Sequence, residues 1–320
     1  MTIGRAKPTV PQLDPDAAAR AAQFGDVPPM RERGLAAVRA ALESAPLPAM
    51  PDMAEVSDLI IPGTVGDLPL RIYRPAREPI APALVYFHGG GMVLGSNHSF
   101  EPLARNLAHH AAATVVAVEY HLAPEAPPPA QFDDAFTATN WVAEHAAELR
   151  VDAGRLAVVG DSAGGALAAG VALAARDRGG PALCCQVLLY PGLDRDMTAP
   201  SLRALADAPM LNLADIEYMH ELADAATGTP QDPYLVPANA TDLTGLPPAI
   251  VVTAEADPIR DWGERYALRL RDAGVQTTTT RYPGMYHGFL MRSDAVARGQ
   301  LAVAEIGALL RAKFDHPLPF

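Results

Sequence analysis

The sequence predicts an α/β protein built around a mostly parallel β-sheet with helices on both faces. Two observations support this fold class. Short segments rich in β-branched and aromatic residues recur from position 56 onward, as strands do. In the second half of the chain helical patterns separate these segments, an alternation typical of parallel sheets. At 320 residues the chain can form one large domain or two modest ones.

The individual elements follow from the same patterns. Eight strand-like segments lie at 56–61, 68–73, 84–87, 115–120, 156–159, 187–190, 250–253 and 277–282. Helical spacing of apolar or small residues predicts later helices at 131–149, 163–175, 261–272 and 295–310. The second of these helices ends at a stop signal, because Gly179 and Gly180 follow the helical pattern over 163–175.

Two stretches do not fit the alternation. Residues 1–55 carry short helical patterns at 16–24 and 30–42 and no strand signal. Residues 193–229 are helical or irregular where a strand would otherwise follow. An insertion at the carboxyl ends of parallel strands lies over the usual ligand site of such sheets. We therefore expect a helical cap formed by 1–55 and 193–229 on a catalytic domain formed by 56–192 and 230–320.

Charge and composition exclude several classes of protein. The formal net charge is −12 and no cluster of Lys and Arg is present, which argues against a nucleic-acid partner. No run of about 18 apolar residues predicts a membrane span, and the first twenty residues lack the apolar core of a signal peptide. The two cysteines, Cys184 and Cys185, are adjacent in an apolar run and fit a buried strand. A cytoplasmic location is expected.

The first motif with chemical content is Gly-Asp-Ser-Ala-Gly at 160–164, between an apolar strand and a small-residue helix. A serine on such a tight turn adopts a strained backbone, so small residues are needed on both sides. Gly160 and Gly164 meet that need, and Asp161 is expected to support the turn through hydrogen bonds. The hydroxyl of Ser162 is then a candidate nucleophile. Alone, the motif also fits an ordinary glycine-rich turn.

A second motif, His-Gly-Gly-Gly at 88–91, follows another strand. Glycines let backbone N–H groups approach a ligand, as the oxyanion of an acyl-transfer intermediate requires. Gly90, Gly91 and Ala163 are the expected donors, with His88 and Gly89 supporting the loop. A flexible loop or a phosphate-binding turn is the alternative, but the lysine and glycine spacing of nucleotide sites is missing.

A serine nucleophile needs a base and an acid to orient it. Of nine histidines, His287 is the one that follows the last strand, at the edge of the sheet where Ser162 lies. Asp257 follows the preceding strand, so the chain order is Ser, Asp, His. Glu255 and Asp261 are alternatives to Asp257; the first lies near the strand end and the second near a helix start.

With these residues in place, the chain resembles the hormone-sensitive-lipase family of bacterial esterases and lipases, in its branch with the GDSAG form of the turn. The resemblance covers most of 55–315. It rests on seven segments in order: HGGG at 88–91, EYHLAPE with PA and DD at 119–134, GDSAGG at 160–165, YPGLD at 190–194, ADPIRD at 256–261, AGV at 273–275 and HGF at 287–289.

The resemblance implies the α/β-hydrolase fold with eight strands, a helical cap, a homodimer as the family-level assembly, and hydrolysis of short-to-medium acyl esters. The chain departs from the usual family pattern at Met92, His121 and Ala166. Candidate pocket residues are apolar side chains of the cap and loops: Met92, Met210, Leu211, Phe289 and Leu290.

The sequence thus predicts a serine carboxylesterase that acts on a small-molecule ester through an acyl-enzyme, with no metal and no cofactor. Two alternatives remain. An amidase or peptidase could use the same fold and the same residues. A ligand receptor could keep the fold, although such a protein would be expected to lack one of Ser162, Asp257 and His287.

Overall fold

A computed structural model describes residues 11–25 and 27–317 of the chain. Within these residues eight strands form one sheet. They are β1 (Glu55–Pro62), β2 (Asp67–Arg74), β3 (Ala81–Phe87), β4 (Thr114–Val118), β5 (Val151–Asp161), β6 (Cys185–Leu189), β7 (Ala249–Ala256) and β8 (Thr277–Tyr286). All eight predicted strands are present, and the fold class predicted from the sequence is confirmed.

Ten α-helices accompany the sheet in the described part of the chain. They are α1 (Pro15–Ala21), α2 (Met30–Arg33), α3 (Leu35–Glu43), α4 (Glu101–Ala111), α5 (Ala130–Glu144), α6 (Ala163–Arg178), α7 (Pro200–Ala204), α8 (Leu213–Asp224), α9 (Arg260–Asp272) and α10 (Ala297–Asp315). The sequence pattern did not single out α4 as an element. Helix α6 ends at Gly179, whose φ of 67° suits glycine and confirms the predicted stop.

The strands follow the order β1-β2-β4-β3-β5-β6-β7-β8 across the sheet. Strand β2 pairs antiparallel with both β1 and β4, and the remaining neighbours are parallel. Strand β5 is therefore central, between β3 and β6. Because parallel strands end at the same edge, the loops after β3, β5, β7 and β8 meet there.

The sheet separates two apolar layers. One contains inward side chains of β3 and β5 with α5 and α6, among them Val85, Val158 and Leu167. The other contains the opposite side chains of the same strands with α4 and α10, among them Leu84, Val159 and Leu310. Strands buried on both faces read as continuous apolar runs, which explains why β3 to β7 stood out in the sequence.

The two predicted cap segments make different contacts. Helix α2 lies against α8 of the 193–229 insertion, where the Met30 N–H donates to Asp215 at 2.7 Å. Helix α1 instead lies by β8 and α10, where the Asp14 N–H donates to the Gly284 carbonyl at 3.0 Å and Arg298 pairs with Asp14. Residues 1–10 of the first cap segment lie outside the described residues.

None of the described helices is long and apolar enough to cross a membrane. Both cysteines are buried and unpaired at the start of β6, as the apolar run predicted. Burial raises the pKa of the Cys184 thiol to about 12, so the thiol stays protonated at neutral pH.

The central sheet should be sensitive to lost packing. Leu188 in β6 is fully buried, and its replacement by alanine leaves a cavity. We expect Leu188→Ala to lower the free energy of unfolding by about 2–5 kcal/mol in urea titrations. Leu268→Ala on α9, where the side chain is 56% exposed, is the matched control and should change it by less than about 0.5 kcal/mol. Equal losses would contradict this account of the core.

Candidate active site

The turn between β5 and α6 holds Ser162 in a strained conformation, with φ 54° and ψ −119°. Its surroundings leave no room for side chains on either side. A Cβ at Gly160 would overlap the Gly164 carbonyl, and a Cβ at Gly164 would overlap the carbonyls of Phe87 and His88. Glycines are therefore required at both positions, and the strain is held by close backbone packing.

Three side chains from three strand ends meet at this turn. The Ser162 Oγ lies 2.9 Å from His287 Nε2, and His287 Nδ1 lies 2.8 Å from Asp257 Oδ2. Asp257 is fully buried, and its other oxygen accepts the Ile259 N–H at 2.9 Å. Since an ionised carboxylate only accepts, Nδ1 carries the proton and Nε2 faces the serine as an acceptor.

The alternatives to Asp257 have other partners. Glu255 accepts the Gly284 N–H at 2.9 Å. Asp261 accepts the Ser201 N–H at 2.8 Å and lies beside Arg260 at the start of α9. Neither carboxylate makes a hydrogen bond with His287, so Asp257 is the acid that this geometry joins to the imidazole.

The loop after β3 turns its backbone toward Ser162. Gly90 and Gly91 have φ values of 108° and 64°, which favour glycine. Among the described residues, the N–H groups of Gly90, Gly91 and Ala163 have no hydrogen-bond acceptor. Three free donors beside a serine hydroxyl are what a developing oxyanion requires.

Asp161 joins that loop to the serine turn. Its buried Oδ1 accepts the Tyr86 hydroxyl at 2.7 Å and the Gly89 N–H at 3.0 Å. Burial, only partly offset by these hydrogen bonds and by His287, raises the pKa of the Asp161 carboxyl to about 7. The side chain therefore orients the loop and does not touch the serine hydroxyl.

His88 supports the glycine loop after β3 through a backbone hydrogen bond and an aromatic contact. Its Nδ1 lies 2.7 Å from the Gly89 carbonyl, and its ring stacks on Tyr120 with centroids 4.3 Å apart. Burial lowers the pKa of His88 to about 4, so the imidazole is neutral at neutral pH. The Tyr120 hydroxyl also donates to the His88 carbonyl at 2.8 Å, which fixes the strand end.

A cavity of about 50 Å³ opens on Ser162. It is lined by Gly91, Met92, Ser162, Ala163, Ala166, Gly192, Arg195, Leu211, Ile216, Met219, His220, Leu235, Ile259 and Trp262. Two of the three departures from the family pattern, Met92 and Ala166, lie in this lining. The third, His121, instead bonds the buried Asp134 at 2.7 Å.

The predicted pocket residues divide into three groups. Met92 and Leu211 line the cavity, and Met210 is 43% exposed at the surface. Phe289 and Leu290 are buried with Tyr282 and Tyr190 in the apolar layer on the α4 and α10 side of the sheet. They follow His287 after a single glycine, Gly288, but the 3-10 turn over Phe289–Arg292 packs them into the core.

Sequence reasoning missed most of the cap side of the cavity. Ile216, Met219 and His220 lie at i, i+3 and i+4 on α8, a spacing that could have identified the inward face. No comparable signal marks Arg195, which lies in a loop, or Trp262, which lies on the first turn of α9, since tertiary contacts decide whether each faces the cavity.

Other features of the described residues lie apart from Ser162. A larger surface depression of about 520 Å³ runs along α9 and β8 and is lined mainly by charged and polar side chains such as Arg265 and Arg281. No group of three His, Cys, Asp or Glu side chains in the described part of the chain is placed to hold a metal ion.

Comparisons with known proteins agree with this geometry. A family model described as alpha/beta hydrolase fold matches residues 84–291. Esterase LipI of Mycobacterium tuberculosis is 41% identical over 84% of this chain and 88% of its own length. Carboxylesterase NlhH of the same organism is 44% identical over 74% of this chain and 78% of its own length.

A solved structure is similar over nearly the whole chain. The thermostable esterase from Pseudomonas putida ECU1011 superimposes with a TM-score of 0.91, at 33% identity, over 98% of this chain and 100% of that one. The likeness therefore includes both the sheet and the helices above it.

The buried Asp161 carboxyl leads to a prediction about pH. Its folded-state pKa is about 7, against an ordinary value of 3.8. Between these values the folded state keeps a proton that the unfolded state has lost, so wild-type stability falls as pH rises. Asp161→Asn keeps an acceptor for Tyr86 and Gly89 without titrating. We expect its stability relative to wild type to rise by about 1 kcal/mol per pH unit between pH 5 and 7.

Urea unfolding of both proteins at pH 5, 6 and 7 measures this difference. Other titrating groups, including His88, are shared by the two proteins and cancel. A difference that does not change with pH would show that Asp161 has no raised pKa.

Proposed function

The chain belongs to the hormone-sensitive-lipase family of the α/β-hydrolases, and we propose that it hydrolyses short-to-medium acyl esters through a Ser162–His287–Asp257 triad. It is a serine carboxylesterase, because relatives named esterase or carboxylesterase are 41–44% identical to most of its length. The observation that carries the triad is the continuous chain of contacts from Ser162 Oγ through His287 to Asp257, at 2.9 and 2.8 Å.

The first half of the reaction forms an acyl-enzyme. His287 Nε2 takes the proton of the Ser162 hydroxyl as Oγ bonds to the carbonyl carbon of the ester. The carbonyl oxygen becomes an oxyanion, which accepts hydrogen bonds from the N–H groups of Gly90, Gly91 and Ala163. His287 then gives the proton to the leaving alkoxy oxygen, the C–O bond breaks, and the alcohol departs.

The second half repeats these steps with water. His287 takes a proton from water, whose oxygen bonds to the acyl carbon, and the same N–H groups hold the new oxyanion. The proton passes to Ser162 Oγ as the bond to the acyl group breaks, which releases the carboxylic acid. Asp257 keeps His287 in one tautomer and stabilises its cation in both halves. All of these groups belong to the chain itself.

The small cavity supports short acyl groups. Its volume of about 50 Å³ favours a short acyl group over a long one. Its lining is mostly apolar, which suits contact with the alkyl part of an acyl group. We infer that the cap over this cavity consists of α2, α3 and the 193–229 insertion, since the Met30–Asp215 contact joins them.

Removing the nucleophile tests the triad. Ser162→Ala should lower kcat/KM on p-nitrophenyl butyrate by at least about 10⁴-fold, because His287 Nε2 makes no hydrogen bond with another hydroxyl among the described residues. Ser44→Ala, at an exposed serine, is the control and should leave turnover unchanged. A p-nitrophenyl phosphonate should transfer its phosphonyl group to the Ser162 Oγ with release of p-nitrophenol. Intact-protein mass spectrometry should therefore show the added phosphonyl mass on wild type and not on Ser162→Ala. Equal turnover by wild type and Ser162→Ala would refute the assignment.

Neighbouring residues test the cavity. Leu211 lines it and Met210 does not, so Leu211→Ala should admit longer acyl chains. We expect its kcat/KM ratio of p-nitrophenyl hexanoate to butyrate to rise about tenfold over wild type, the usual effect of fitting a further methylene. Met210→Ala should keep the wild-type ratio. If both variants shift the ratio equally, the acyl chain does not occupy this cavity.

A further inference from the structure

The cavity over Ser162 contains one permanently charged side chain. Most of its lining is apolar, whereas Arg195 brings a guanidinium to the cap side. The segment that carries Arg195 is attached to the serine turn, because the Gly192 N–H donates to the Ser162 carbonyl at 2.9 Å. Apolar sites with a single polar group usually use that group to select and orient a ligand.

The donors of Arg195 are only partly used by the protein. Nη1 donates to His220 Nε2 at 2.9 Å. Nη2 lies 3.5 Å from Asp224 Oδ1, longer than an ordinary hydrogen bond. Nε is buried and has no acceptor among the described residues. Since a guanidinium has five N–H donors, Arg195 keeps spare hydrogen-bonding capacity in a site shielded from water.

His220 does not neutralise this charge. Burial and the neighbouring Arg195 lower the pKa of His220 to about 3, so the ring is neutral at neutral pH. Its Nε2 is the acceptor for Arg195, and its ring stacks on Trp262 at 6.1 Å with an angle of 17° between the planes. Among the described residues, the one carboxylate within salt-bridge distance of Arg195 is that of Asp224, at 3.5 Å.

The backbone around Arg195 is held firmly. The Asp194 carboxylate accepts hydrogen bonds from the backbone N–H groups of Arg195 and Asp196. The carboxylates of Asp194 and Asp196 also pair with Arg265, at 3.1 and 2.7 Å respectively. The Trp262 indole donates to the Asp196 carbonyl at 3.0 Å. Because the backbone that carries Arg195 is already ordered, binding a ligand to this side chain costs less conformational entropy than binding it to a side chain on a mobile loop.

We propose that Arg195 determines substrate specificity by binding a second acceptor oxygen of the substrate, a carbonyl or carboxylate separate from the ester that Ser162 attacks. This inference rests on the proposed esterase function. The enzyme therefore favours oxygenated esters over alkyl esters of equal length. The competing account is structural: Arg195 would only tie α8 to the site through His220 and Asp224.

The test compares esters of matched length. On the acyl side, p-nitrophenyl 4-oxopentanoate and p-nitrophenyl hemisuccinate are compared with p-nitrophenyl pentanoate. On the alcohol side, 3-oxobutyl acetate is compared with butyl acetate. We expect wild type to favour an oxygenated ester over its alkyl match by about tenfold or more in kcat/KM, as a hydrogen bond to a charged group allows.

The variant Arg195→Met keeps length and apolar contact but has no donors. It should bring the oxygenated-to-alkyl ratio of kcat/KM close to one, because the loss falls more heavily on the oxygenated esters than on the alkyl esters. A preference for the hemisuccinate alone assigns an anionic group, and a preference for the oxo ester as well assigns a neutral acceptor. Arg265→Met, which loosens the same segment without lining the cavity, should keep the wild-type ratio.

Three results would overturn the proposal. The first is a wild type without preference in any pair, and the second is a preference that survives in Arg195→Met. The third is an equal loss on all esters in Arg195→Met together with a lower melting temperature, which would show a structural role. Failure of wild type to hydrolyse any alkyl ester would instead refute the proposed function, so the two failures are distinguishable.

Discussion

The site depends on the close approach of two backbone turns. Gly164 packs against the carbonyls of Phe87 and His88 so tightly that any side chain there would overlap them. This contact sets the distance between the serine turn and the loop that carries the free N–H groups. Asp161 fixes the same distance from its other side through Gly89. The position of the Ser162 hydroxyl relative to these N–H groups is therefore a property of the backbone, held by packing rather than by mobile side chains.

Such an arrangement is costly to the fold. Asp161 and His88 are buried around the serine turn, together with Tyr86, Tyr120 and Tyr190. Burial of a polar group destabilises a protein unless the group is hydrogen-bonded. The raised pKa of Asp161 and the lowered pKa of His88 both record the cost of charging these groups away from water. Here Asp161 bonds to Tyr86 and to the backbone of Gly89, and Tyr120 bonds to the backbone of His88, so these groups rigidify the loop. His88 Nε2 and the Tyr190 hydroxyl have no partner among the described residues. A small, rigid set of donors needs no reorganisation when charge develops on a substrate.

The sequence identified the residues at the strand ends better than the residues that line the cavity. Ser162, Asp257 and His287 each follow a strand, and parallel strands end at one edge, so local patterns were sufficient to bring them together. The pocket did not follow from such patterns. Met210 and Leu211 are neighbours with similar hydrophobicity, yet one is exposed and the other faces the cavity. Phe289 and Leu290 lie next to His287 but pack into the core. Which side an apolar residue faces depends on tertiary contacts that a single sequence does not encode locally.

The loop after β7 contributes both to the hydrogen bonds of His287 and to the wall of the cavity. Asp257 bonds His287, and two residues later the Ile259 N–H bonds Asp257 while its side chain lines the cavity. Trp262, on the first turn of α9, continues the wall and stacks on His220 beside Arg195. Orientation of the imidazole and shape of the pocket thus share one short segment. Because residues in contact are not energetically independent, changes in the pocket wall should alter turnover as well as selectivity. We therefore expect residues 257–262, and not the cap alone, to determine both the substrate preference and the orientation of His287.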